Sequence, residues 1–140
     1  MSVYARSLGN VKVEINAGNH SLLADEPVAS GGSDAGLNPY DLLLASLASC
    51  KIITMQMYAH RKGWPVKGIE INMSTHKVHA KDCEDCESNP DARVDIIETE
   101  IRLLGNLDQE QREQIIEISE KCPVHRTLTS ETKIRTVLVD

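Results

Sequence analysis

The sequence predicts an α+β domain in which antiparallel sheets pack around one long apolar helix. Three observations carry this. Period-two alternation recurs in several short runs, and the stretch Leu42–Ala59 is apolar over a helical length. The runs also come in the order three strands, helix, two strands, helix, strand, without the strict strand–helix alternation of a parallel sheet. At 140 residues the chain fits a single domain, 1–140, long enough to bury most of its apolar surface.

Val3-Tyr4-Ala5-Arg6 and Val11-Lys12-Val13-Glu14-Ile15 alternate as strands, separated by a turn at Leu8-Gly9-Asn10. A second turn, Ala17-Gly18-Asn19, leads to a third short strand, His20–Asp25. Pro27–Asn38 lacks periodicity and reads as a loop; its Gly31, Gly32 and Gly36, without the strand-to-helix setting of a phosphate loop, are expected to leave the chain free over a pocket. Asn38 then caps a helix with Pro39 at the first helical position, and that helix should run to about Lys62 before Gly63 and Pro65.

Apolar residues occupy nearly every face of this helix, whereas a helix lying on a sheet buries one stripe. A homodimer in which the partner covers the other face is therefore expected; the alternative is a helix sandwiched within one subunit. Lys51 and Gln56 inside it argue against a membrane span, since a charge at mid-span costs roughly 2.5–3.5 kcal/mol. Val66–Val78 and Val94–Leu104 are the next strands, joined by a charged loop, Ala80–Ala92, with Ile97 and Ile101 pointing inward. Gly105-Asn106 turns the chain, and Asp108 caps a second helix whose apolar Ile115, Ile116, Ile118 and Cys122 keep helical spacing. Alternation over Thr132–Val139 predicts a closing strand.

The net charge of -6 lacks the basic footprint needed for nucleic acid or an anionic membrane. With no Phe, one Trp and three Tyr, the core must be built from Leu, Ile, Val and Met. The N-terminus shows no charged-then-apolar-then-small signal pattern, so a cytoplasmic protein is expected, and its four cysteines should be thiols, redox groups or metal ligands rather than structural disulfides.

Cys50 ends the apolar run of the long helix, where a thiol is ordinarily inert core with a pKa raised by burial. Lys51 makes a poor partner for it, because adjacent helical residues point about 100° apart. Cys122 opens Cys122-Pro123-Val124-His125-Arg126 at what reads as a helix C-terminus, where the dipole disfavours a thiolate. Taken alone, each is more readily structural than catalytic.

The segment Asn38-Pro39-Tyr40-Asp41-Leu42-Leu43-Leu44-Ala45-Ser46-Leu47-Ala48-Ser49-Cys50, followed at long interval by Cys122-Pro123-Val124, resembles the OsmC/Ohr family of osmotically inducible protein C and organic hydroperoxide resistance proteins. The likeness covers nearly the whole chain, and Lys62-Gly63-Trp64-Pro65 and Asp82-Cys83-Glu84-Asp85-Cys86 are similar to an OsmC-like subgroup. The resemblance implies an intertwined homodimer with the long buried helix packed on antiparallel sheets and active sites at the interface. It also implies reduction of organic hydroperoxides without metal, haem or flavin. Cys50 would be the peroxidatic thiol and Cys122 the resolving one, with an external lipoyl or thioredoxin-like dithiol as reductant. An apolar Leu and Met pocket would suit an alkyl hydroperoxide.

Peroxidases of this family carry a glutamate two residues after the asparagine, orienting an active-site arginine; this chain has Tyr40 there, and Arg6 is the candidate arginine. Arg126 could supply a cation and His125 a proton acceptor near Cys122. A small-molecule or thiol-reactive binding protein that keeps the fold and dithiol is therefore the main alternative. A third is a metal-binding accessory protein: Cys83 and Cys86 form a CxxC with His76 and His79 upstream, ligand types able to hold zinc.

Overall fold

The computed structural model describes residues 1–140, which fall into two compact units, residues 1–46 and 47–140. In the first, β1 (Tyr4–Gly9), β2 (Lys12–Ala17) and β3 (His20–Ala24) form an antiparallel sheet in sequence order. Both turns are built as the sequence indicates: Gly9 and Asn10 take φ +102° and +49°, and Gly18 takes +58°.

The glycine loop after β3 is anchored rather than free. Asp25, 2% exposed, accepts hydrogen bonds from the Glu26, Ser33 and Ala35 amides and from Ser33 Oγ. A Cβ on Gly32 would collide with the Glu26 carbonyl and one on Gly36 with that of Leu23, so these glycines allow close backbone packing. The expectation of freedom over a pocket fails because a buried carboxylate must be satisfied, and the loop backbone satisfies it.

Helix α1 (Pro39–Lys62) begins where predicted, with Asn38 Oδ1 accepting from the Asp41 amide at 2.9 Å. It ends at Gly63, whose φ is +71°. Strands β4 (Val66–His79) and β5 (Arg93–Gly105) form one long antiparallel hairpin. Helix α2 (Gln109–Ser119) starts with a reciprocal capping box between Asp108 and Gln111. The core of the second unit joins Met55 and Ala59 of α1 to Leu103, Leu107 and Ile115, with Trp64, Val66, Ile69 and Ile101 packed around them. By length and composition α1 could cross a bilayer; here its Leu47, Lys51, Met55 and Ala59 stripe is buried, as in a core helix.

Two further expectations are corrected. Cys122 does not close α2, which stops at Ser119; it is the N-cap of a further helix, α3 (Pro123–Thr129), with Pro123 at the first turn. Residues 131–140 form no strand, and Ile134, Val137, Leu138 and Val139 stand 79–93% exposed. Alternation makes a segment fit to pair, but a strand exists only where another strand receives its hydrogen bonds.

Candidate functional site: a dithiol beside a buried lysine

The side chains of Cys50, half-buried on α1, and Cys122, fully buried at the start of α3, are within hydrogen-bonding reach of one another. Position on α1 explains the exposure of Cys50. Leu43, Ser46, Cys50, Ile53 and Met57 follow a 3-4-3-4 spacing along one side of the helix, and Leu43, Ile53 and Met57 are exposed. Cys50 thus lies on the open side of α1, between exposed apolar neighbours and the thiol of Cys122.

Lys51 occupies the opposite, buried stripe. It is 3% exposed, and its Nζ donates to the Ser119 carbonyl at 3.0 Å and lies 2.9 Å from His125 Nδ1. Glu120 closes the cluster, with Oε2 3.3 Å from His125 Nδ1 and 4.0 Å from Lys51 Nζ. An ammonium donating to Nδ1 fixes that nitrogen as the acceptor of a neutral imidazole; a proton on Nδ1 would instead be held by Glu120. Two proton arrangements therefore share one set of atoms next to the dithiol.

Burial pushes the Cys122 thiol above its ordinary pKa, and contact with Cys50 pushes it further. Opposing this, the His125 amide donates to Cys122 Sγ at 3.3 Å and the charge of Lys51 favours the thiolate. The helix dipole at this position favours the anion, reversing the sign expected for a helix C-terminus, though burial still dominates.

Of the supporting residues foreseen, His125 stands in the cluster. Arg126 is exposed on α3, Tyr40 is exposed in the first turn of α1, and Arg6 is exposed on β1 and paired with Glu14 at 2.6 Å. Lys51 was missed because adjacency to Cys50 was taken to exclude it. The overlooked signal was its place in the i, i+4 series Leu47, Lys51, Met55, Ala59, where a lysine interrupts a core stripe. A cavity of about 280 Å³ lies between the end of α1 and the start of β4, lined by Gln56, Ala59, His60, Trp64 and Val66, and neither thiol borders it.

At the far end of the β4–β5 hairpin, Cys83 and Cys86 are disulfide-bonded, with Cα atoms 5.4 Å apart, so of the four cysteines only Cys50 and Cys122 are the free thiols that the sequence led one to expect. The residue grouped with them is Asp85, which replaces His79 of the sequence expectation; its Oδ1 lies 3.2 Å from Cys83 Sγ.

The sequence profile of the family described as OsmC-like protein matches residues 31–137. No curated protein matches the chain in sequence. Among solved structures, an OsmC-like protein from Mycoplasma pneumoniae superposes with TM-score 0.72 at 17% identity, covering 91% of this chain and 85% of that one. An organic hydroperoxide resistance protein OsmC from Legionella pneumophila gives 0.64 at 18% identity, covering 91% and 88%. The organic hydroperoxide resistance protein OhrB of Bacillus subtilis gives 0.62 at 18% identity, covering 91% and 89%. At these identities the structures speak to the fold.

Proposed function

Because the chain belongs to the OsmC-like family, we propose that it is a thiol peroxidase that reduces organic hydroperoxides through Cys50 and Cys122. The observation that carries this reading is the pairing of a half-exposed thiol on α1 with a fully buried one on α3, in mutual reach and beside a buried cation. In the proposed cycle the Cys50 thiolate attacks a peroxide oxygen. The O–O bond breaks, the alcohol leaves with a proton, and Cys50 becomes a sulfenic acid. Cys122 then attacks that sulfur, its thiol proton leaves with the hydroxyl as water, and a disulfide remains. An external dithiol restores both thiols as its own sulfurs close to a disulfide. The polarity of the site fits this division: the accessible thiol meets substrate, and the buried one, whose ionisation Lys51 and the His125 amide assist, needs to meet only Cys50.

The open side of α1 and the unpaired segment 131–140 support a homodimer. Leu43, Ile53 and Met57 offer an apolar seam at heptad-like spacing, and a second copy covering it would also enclose Cys50 in an apolar setting suited to an alkyl hydroperoxide. Such a site would lie at the subunit interface, in a cytoplasmic protein served by a lipoyl or thioredoxin-like reductant.

A second reading is favoured by one observation: Tyr40, exposed, stands where the family's peroxidases carry the arginine-orienting glutamate. On that reading the dithiol belongs to a small-molecule or thiol-reactive binding protein with little turnover. Purified protein supplied with dihydrolipoate and cumene hydroperoxide separates the two. The peroxidase consumes the hydroperoxide catalytically, Cys50→Ser falls to the background rate, and Cys122→Ser stalls after a single turnover in a sulfenic acid. Equal, slow consumption by wild type and Cys50→Ser would leave only the binding protein.

A further inference from the structure

We propose that the tip of the β4–β5 hairpin is a redox-gated metal site, in which reduced Cys83 and Cys86, together with Asp85, bind a zinc-type divalent cation. The site is separate from the Cys50–Cys122 dithiol and serves a different chemistry. Ile71 of β4 packs against the core, and the strand then runs eight residues on to His79, about 26 Å of extended chain, before the loop begins.

Several features converge at this tip. The backbone holds both sulfurs together across two intervening residues, with a 3₁₀ turn at Ala80–Asp82 leading into the pair. The ligand atoms of Cys83, Asp85 and Cys86 all lie within 4.8 Å of one another, near enough to share one ion. Two thiolates and a carboxylate select a borderline-soft cation over magnesium or calcium, and three protein ligands leave the fourth tetrahedral position to water. The surrounding charge has the right sign, since Asp82, Glu84, Glu87 and Asp91 share the loop. Two bare thiolates among these carboxylates would repel them, whereas a dication reverses that repulsion. His79 opens the same turn with its Nδ1 buried and without a hydrogen-bond partner, and it does not join the Cys83–Asp85–Cys86 group.

The gate is the disulfide itself. A sulfur already bonded to sulfur offers no thiolate, so the oxidised tip cannot hold the ion. A dithiol reductant opens the Cys83–Cys86 bond by two exchanges, passing two electrons and two protons to the cysteines while its own sulfurs close to a disulfide. Metal binding then releases those two protons as both thiolates coordinate.

The test uses the full chain, reduced with a phosphine that carries no thiol, and Zn²⁺ alone in competition with a chromophoric chelator. Wild type and Cys50→Ser/Cys122→Ser should each bind about one equivalent, and Cys83→Ser/Cys86→Ser, shown folded by circular dichroism, should bind none. The disulfide form should also bind none. Asp85→Asn should weaken binding by at least about tenfold, since loss of a mere partner of a ligand already costs about tenfold to a hundredfold. Co²⁺ in place of zinc should give a thiolate-to-metal charge-transfer band that disappears in Cys83→Ser/Cys86→Ser. The proposal is overturned by failure of reduced wild type to take up zinc, by equal uptake in the oxidised form, or by loss of binding in Cys50→Ser/Cys122→Ser instead.

Discussion

A lysine on an apolar helix face is costly to bury unless its ammonium is engaged, and Lys51 is engaged by the Ser119 carbonyl, His125 and Glu120. Its field also favours the Cys122 thiolate against the burial that opposes it. Lys51→Met keeps the side-chain length and removes the charge, while Glu120 is well exposed and is not stranded in the core. The variant should still fold: the Ser119 carbonyl left without its donor costs about 1–3 kcal/mol, set against the relief of a buried ammonium, and its Cys122 pKa should rise further. A one-unit rise would leave about a tenth of the thiolate near neutral pH, and its greater nucleophilicity would offset part of that, so disulfide closure should slow about threefold and dimedone should trap correspondingly more Cys50 sulfenic acid. The deficit should shrink as pH increases, because a larger fraction of Cys122 then ionises in both proteins. Identical pH profiles for trapping in wild type and Lys51→Met would remove Lys51 from the chemistry. The structure brings the two thiols and His125 together and adds Lys51, which the sequence does not single out, since contact with Cys122 depends on where α3 begins, not on neighbours along the chain.

At the scale of elements, the glycine loop shows how one buried carboxylate organises a segment without secondary structure. Hydrogen bonds from the Ala35, Ser33 and Glu26 amides and the Ser33 hydroxyl hold the Asp25 carboxyl at a pKa of about 2, below its ordinary 3.8. A group depressed in the folded state stabilises it above the unfolded pKa, and that contribution is lost as pH falls from 3.8 through about 2. Asp25→Asn should therefore lower the melting temperature at neutral pH and flatten the decline in stability across that acid window. Thermal melts from pH 7 to pH 2 read both effects; an unchanged acid slope would mean the loop is held by other contacts. The helices were legible where caps are written in the sequence: Asn38-Pro39 for α1 and Asp108 with Gln111 for α2. Helix α3 was not read, although Cys122-Pro123 carries the same signal, a sulfur acceptor followed by proline at the first helical position. The apolar spacing of α2 drew Cys122 into the wrong helix.

For the whole molecule, the unsatisfied surface is the informative part. The exposed side of α1 and the alternating but unpaired segment 131–140 are the surfaces that the proposed homodimer would cover. Light scattering behind size exclusion should give a dimer. Ile53→Lys should shift it toward monomer and lower the melting temperature, because a lysine in an apolar seam must be desolvated or exclude the partner. Wild type eluting as a monomer at micromolar concentration would withdraw the dimer and, with it, the interfacial placing of the active site.

By itself the sequence determined the element order from β1 to α2, the turns at Gly9 and Gly18, and the start and end of α1. These are local matters of periodicity, capping and backbone freedom, written within a few residues of where they act. Only the tertiary structure decided that Cys122 caps a helix, that Lys51 reaches His125, that Asp25 ties down the glycine loop and that Cys83 gathers Asp85 rather than His79. Each of these depends on groups meeting in space across chain separations or loop conformations that spacing in the sequence does not fix, and burial then decides what those meetings are worth.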